Sequence, residues 1–545
     1  MYKGMVKKKH PNELKTISFP IQVSKQKDLK QSVSEHLGVK HTQPFFPSLE
    51  TLFKVESIDS VRDHGIKLDD PIQTIHSKSS VTTVSGRTRN IHVKQTMILS
   101  PLKWMRGDYG EAIGIPSTQE VSRGIFDKIQ LPHNAAYVGS MFSALFSLSK
   151  CIHFPEVYGI YTGVANKHTI DISDDYEDLV EKSWFSHNVG TYFDLKLADC
   201  LERSGFQHSR TAKLEVRMEE ETTLGDVAEL DGISVEEPSI PDMSPMFSAS
   251  EEIDDDSSDT SSVSTSYMFE IESCKCSLGD DSDADDDFGD EEPFAWATFS
   301  DVPVQLTIME KCEGTLYELM SKEPNTTKHM AWLSQILFAL AFAQRTFGFI
   351  HNDLHSNNIV YVQTDKEYLL YKIDGQAFKV PTHGYIIKII DFERGIGSVR
   401  VSGMKQPKMF VSDHFSPVEE AGGQYNIDPF HVQKVESIKP NPSFDLVRLA
   451  TSLFWDLFPE GPFHEEYKSN PIFSTLVRWM TLDDGSSVLF GKHEPQHDRY
   501  HGFELYKAIT RYCKDSAIPR REIQKLIDIY GATLPSTTIY DMTLL

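Results

Sequence analysis

The stretch that decides the fold is His351-Asn352-Asp353-Leu354-His355-Ser356-Asn357-Asn358 (HNDLHSNN, 351–358). It has the form H-x-D-x-x-x-x-N. It follows an apolar segment, 328–349, in which Leu333, Ile336, Leu337 and Leu340 recur at helical spacing and Gly348 stands near the stop. Thirty-eight residues after Asp353, the β-branched run YIIKIIDF (385–392) reads as a buried strand and carries Asp391-Phe392-Glu393 at its end. Further on, SFDLVRLATSLFWDLF (443–458) begins with a serine before Asp445 and runs on as an apolar helix. An HxD or a DF pair alone arises on loops by chance. Both in order, one after a helix and one after a strand, with Asp445 opening a later helix, point to one site.

The two motifs resemble the catalytic loop and the metal-binding D-F-G of the protein-kinase superfamily. The chemistry which that resemblance implies fits the residue types, since phosphoryl transfer needs positioning and neutralisation of phosphate charge more than covalent chemistry. Magnesium takes hard oxygen ligands, and the Asp391 carboxylate and the Asn358 amide carbonyl could supply them. Asp353 would then be left to orient an attacking hydroxyl and accept its proton. On that resemblance Lys94, in the strand-like IHVKQTMIL (91–99), would contact the α- and β-phosphates of ATP; the plain alternative is a solvated strand lysine. VPVQLTIMEKCEGTLYELM (302–320) looks like a strand, hinge and helix, with the backbone of Glu310 to Cys312 facing adenine.

Longer phrases narrow the resemblance. IHVKQTMILSPLKWMRGDYG (91–110), NAAYVGSMFSALFS (134–147), IIDFERG (389–395), GGQYNIDPF (422–430) and KPNPSFDLVRLATSLF (439–454) look like the serine/threonine protein kinases encoded by large nucleocytoplasmic DNA viruses. The resemblance covers about residues 90–520 and implies an α+β, bilobal protein-kinase-like fold. An N-terminal extension (1–60) would precede a small β-rich N-lobe (61–314) and a larger helical C-lobe (315–545). It also implies ATP and Mg2+, Ser/Thr protein substrates, and residence in the host cell cytoplasm or the virion. Residue by residue, it makes Asp353 the catalytic base, Asn358 and Asp391 metal ligands, and Lys94 the phosphate-contacting lysine. Asp445 would brace the backbone of the catalytic loop, and His351 would be structural.

The departures are as informative. No G-x-G-x-x-G precedes Lys94, and Gly86 is the only glycine nearby, so the phosphates lose a close-fitting backbone cover. The helix-like 134–149 holds no acidic residue to pair with the lysine, which leaves Glu111 and Glu120 as substitutes. Glu393 stands where D-F-G has glycine and adds a carboxylate near the metals. His355 stands where a lysine is common, as in haspin-like and aminoglycoside-phosphotransferase-like enzymes. No A-P-E closes the segment that holds Ser412 and Ser416, candidate regulatory positions. Two alternatives to an active protein kinase follow: a pseudokinase scaffold, or a small-molecule phosphotransferase.

Charge divides the chain unevenly. The 545 residues carry a formal net charge of -26, but 215–292 hold 27 acidic residues against Arg217 and Lys275, so the remainder is nearly neutral. This Ser/Asp/Glu-rich tract reads as a disordered insert in the N-lobe. It is a solvated linker, a phosphoacceptor segment (Ser248, Ser277 and Ser282 each precede an acidic residue by three), a brake over a basic groove, or a dock for a basic protein partner. The acidic balance argues against direct nucleic-acid binding, and no apolar run approaches 18 residues, so no membrane span is expected. Lys3, Lys7, Lys8 and Lys9 lead into no apolar region, and six cysteines make no disulfide framework. An intracellular, soluble protein is expected.

Overall fold

The computed structural model describes residues 20–44, 64–109, 133–198, 294–430, 438–491, 498–533 and 540–541, less Asp174, Glu420, Asp483 and His501. The acidic tract 215–292, Glu111 and Glu120 lie outside the described residues. The architecture is α+β.

An antiparallel sheet dominates the first half. Its main strands are β1 (Ile72–Ser77), β2 (Ser80–Thr83), β3 (Thr88–Met97), β4 (Val157–Asp171) and β5 (Ala295–Glu310). They stand side by side in the order β4-β5-β3-β2-β1. Val39–Gln43 adds an edge strand beside β4. The register sets Lys94 of β3 opposite Thr307 of β5 and brings Ile91 beside Glu310 at the end of β5. Residues 302 and 304–309 of β5 are buried and mostly apolar, because strands cover both edges and a helix covers one face.

That helix is α1 (Ala135–Leu148), capped by Asn134, whose side chain accepts from the amide of Ala136. It is apolar nearly all round and buried over most of its length, as a helix packed between sheet and helical half must be.

The second half is mainly helical. Its central helix, α2 (Thr326–Phe347), is capped by Asn325 and stopped by Gly348, whose φ of 59° is the left-handed conformation that glycine adopts without strain. The loop 351–358 follows, then β6 (Ile359–Gln363) paired antiparallel with β7 (Tyr385–Ile389). After Asp391-Phe392-Glu393 come β8 (Ile396–Val401) and β9 (Lys408–Val411), then α3 (Phe444–Leu457) and α4 (Phe503–Tyr512). Ser443 does stand at the N-cap position of α3, but its hydroxyl donates to Lys514 O rather than capping the helix.

Two apolar clusters underlie this division. One, containing Val81, Ile91, Leu306 and Ile308, lies in the sheet region; the larger gathers α1, α2, α3 and the loop between α2 and β6. Among the described residues no helix is long and apolar enough to cross a membrane.

Candidate active site

The loop 351–358 is shaped by one buried carboxylate. Asp445, in the first turn of α3, accepts from the amide of His351 through both oxygens (3.1 and 3.0 Å) and from that of Asn352 (3.0 Å). Burial raises its pKa, against the opposing pull of His351 and these amides. His351 is buried and ties the loop to the other motif: Nδ1 accepts from the Asp353 amide (3.3 Å) and Nε2 donates to Ile390 O (2.8 Å). Asn352 is held at φ 64°, unusual for a non-glycine residue. Its side chain donates to Arg394 O and accepts from the Tyr425 hydroxyl. These bonds hold a backbone conformation that would otherwise cost of order 1–3 kcal/mol.

Asp353 thereby projects from a rigid loop. Its Oδ1 accepts from the Tyr506 hydroxyl of α4 (2.6 Å), which itself accepts from Arg448 Nε of α3 (3.0 Å). Arg394 Nη1 lies 3.9 Å from the same oxygen. Burial works to raise the Asp353 pKa, but Arg394, His355, Arg448 and the Tyr506 hydrogen bond together hold it well below the usual carboxylate range. The carboxylate is charged at neutral pH.

Asn358 spends its amide nitrogen on the loop, donating to Asp353 O and to His355 Nε2 (both 2.9 Å). That commits the amide nitrogen to the loop, so the carbonyl oxygen is the atom of this side chain that could serve a cation. His355 can accept this bond because it is neutral: burial, and secondarily the Arg448 charge, bring its pKa down to about 4 despite Asp353 and Asp391. Ile390 N in turn donates to Asn358 O, so the loop and the end of β7 are laced together.

Part of this chain is similar to serine/threonine protein kinases. Over 60 residues, 11% of the chain and 8% of the relative, it is 38% identical to the serine/threonine-protein kinase haspin of Mus musculus. Over 66 residues, 11% of the chain and 5% of the relative, it is 38% identical to a probable serine/threonine-protein kinase of Dictyostelium discoideum. Over 62 residues it is 32% identical to an uncharacterised protein of Caenorhabditis elegans, 21% of whose length is covered. The chain thus spans about a fifth or less of the length of these relatives. No family model matches it.

Asp391 also sits at positive φ (64°). Its Oδ1 is 2.9 Å from Lys94 Nζ across the cleft. A second carboxylate, Glu393 Oε1, is 2.8 Å from the same nitrogen and accepts from Thr96 Oγ1 (2.8 Å). Burial alone would lower the Lys94 pKa; Asp391 and Glu393 overcome it and keep the ammonium charged. Burial opposes ionisation of Asp391 as well, and Lys94 reverses that, leaving its pKa lowered. Between the two carboxylates Phe392 turns inward against Phe146 of α1, Phe349 and His351, with ring centroids 4.9, 5.8 and 5.6 Å away. Lys94, Thr96, Gly139, Thr307, Asp391 and Glu393 line the resulting pocket.

The structure therefore brings Lys94 and Asp391 into contact and laces Asp353 and Asn358 into the same loop assembly. Glu310 and Cys312 lie at and just beyond the end of β5. The Glu310 side chain pairs with buried Lys388 (2.9 Å), and its amide donates to Glu156 O (2.8 Å). Burial pushes the Cys312 thiol up to about 12, so it is no nucleophile.

Two features escaped the sequence reading. Among the described residues, the carboxylate beside Lys94, besides Asp391, is Glu393; the signal is an all-uncharged α1 next to a glutamate in place of glycine. Gly86 (φ 80°) belongs to the β2–β3 turn, whereas the β1–β2 turn is Lys78–Ser79, with Ser79 O bonded to the Ile91 amide (2.9 Å). That hairpin ends three residues short of Lys94 along β3. Ser412 and Ser416 are both buried, so neither stands open to modification.

Proposed function

We propose that the chain is an ATP- and Mg2+-dependent phosphotransferase acting on Ser/Thr hydroxyls of proteins, with a bilobal protein-kinase-like fold. The observation that carries this reading is the single assembly of Lys94, Asp391, Asn358 and Asp353 around a loop pinned by Asp445. Asp391 and the Asn358 carbonyl are hard oxygen donors that fit magnesium. Magnesium-ATP, when bound, supplies the γ-phosphoryl group and the metal charge that offsets it. Lys94 offers a fixed ammonium for α- and β-phosphate oxygens. Backbone of Glu310 to Cys312 faces adenine. Asp353, ionised and held by Tyr506, orients the acceptor hydroxyl and takes its proton late. The short β1–β2 hairpin covers the phosphates less closely than a glycine loop would.

The kinase type encoded by large DNA viruses, with its cytoplasmic or virion setting, is proposed on the GGQYNIDPF and KPNPSFDLVRLATSLF phrases. A basic protein is the proposed partner of 215–292. Tyr506 favours one competing reading: a hydroxyl already bonded to Asp353 suits a nucleotide-binding scaffold that transfers nothing.

The test is transfer of labelled γ-phosphate by the purified chain to itself and to generic basic and acidic proteins. Asp353→Asn should lower labelling by about 10²–10⁴-fold. Equal labelling by both proteins overturns the assignment of Asp353, and no labelling by either favours the scaffold.

A further inference from the structure

We propose that Glu393 is the positioning residue that holds Lys94 aimed into the pocket between β3 and α1, and that Gly139 of α1 is the position that makes room for it. The inference deepens the proposed function and rests on it for the role of Lys94.

Lys94 lies between two carboxylates, Asp391 at 2.9 Å and Glu393 at 2.8 Å. Once Asp391 ligates a metal its charge is shared, and an enclosed ammonium without another counter-charge is costly. Glu393 is the carboxylate that stays. It is built to stay: only 6% exposed, it is also fixed by Thr96 Oγ1 at 2.8 Å, a neighbour of Lys94 on the same strand.

The helix that faces this pair presents Ala136, Gly139, Ser140 and Ser143 to the pocket and offers no charge. A Cβ at Gly139 would stand 2.8 Å from Glu393 Cγ, closer than real Cβ contacts come. Gly139 is mid-helix, where glycine is less favourable than alanine, so close packing against Glu393 is a physical reason for it. Lys94's two carboxylate partners are therefore two residues apart in the loop between β7 and β8, with Phe392 buried between them. Displacing α1 would not by itself break the Lys94 ion pair.

The test is a double-mutant cycle in full-length protein, read by the Kd for Mg-ATP. Glu393→Gln should weaken Mg-ATP binding by about tenfold in the wild-type background and by less than about twofold beside Lys94→Met, because the glutamate acts through the lysine. Gly139→Ala, which pushes Glu393 aside, should weaken binding in the same direction and serves if the first variant fails to fold. Moving the carboxylate, by Gly139→Glu combined with Glu393→Gly, should bring the affinity back toward wild type. In a protein that transfers phosphate, Glu393→Gln should raise KM for Mg-ATP more than it lowers kcat. Equal weakening in both lysine backgrounds, or unchanged affinity in both single variants, overturns the proposal. Coupling in a protein that binds Mg-ATP but transfers no phosphate supports the positioning role while removing the proposed function.

Discussion

At the scale of single residues, the site depends on carboxylates whose surroundings differ sharply. Asp353 is held ionised by Arg394, Arg448 and the Tyr506 hydroxyl despite burial. Its folded pKa lies below the unfolded value, so its contribution to stability is full above about pH 3.9 and is lost as pH falls through the folded pKa. Asp353→Asn should therefore destabilise the protein at pH 7, and the gap to wild type should narrow on acidification; urea titrations at pH 3 and 7 check this, and a constant gap contradicts it. Tyr506→Phe strands Asp353 Oδ1 and Arg448 Nε, costing about 1–3 kcal/mol. It should lower kcat with little change in KM for ATP; a raised kcat would instead mark the hydroxyl as a block. Asp445→Ala leaves the amides of His351 and Asn352 without their acceptor. At about 1–3 kcal/mol for each, a loss of about 2–6 kcal/mol is expected in the same titrations.

At the scale of elements, α1 joins the two halves of the chain. Its first amide, Ala135 N, donates to Asp413 Oδ1 (2.9 Å), in the segment that follows β9. Burial first, and then the charge of Glu419, push the Asp413 pKa well up, while the Ala135 amide and Lys103 pull the other way. Lys103 pairs with Glu419 nearby. Here the sign is reversed: the folded state keeps a proton that the unfolded chain loses near pH 3.9, so stability falls as pH rises from there toward the folded pKa. Asp413→Asn removes that slope. Melting temperature should drop more between pH 5 and 8 in wild type than in the variant, and parallel curves would contradict the assignment. Much of this element level was legible from sequence. The apolar spacing of 328–349 matched α2, and the run at 385–392 delivered β7 and Asp391. Both are local patterns. The pairing of Lys94 with Glu393 was not legible, because residues 299 positions apart meet only through the register of β3 against β5 and the packing of α1. The β1–β2 turn, Lys78–Ser79, carries no glycine and so leaves no such mark in the sequence.

At the scale of the molecule, the first described residues are part of the fold. Pro20–Ile21 pairs with β8 just after the Asp391 motif, and Val39–Gln43 extends the sheet beside β4. Val33, Leu37 and Val39 are buried, and at roughly 1.5–3 kcal/mol each they amount to on the order of 5–9 kcal/mol. That is comparable with the whole stability of a domain. A chain lacking residues 1–43 should accumulate as insoluble protein; a soluble one with an unchanged melting temperature would contradict this. The most direct test of the whole account is Mg2+-dependent transfer of the γ-phosphate of ATP to a protein hydroxyl, measured for wild type beside Asp391→Ala. The account predicts labelled phosphoserine or phosphothreonine with wild type and essentially none with the variant. Equal labelling by both, or none by a wild type shown to bind Mg-ATP, would contradict it.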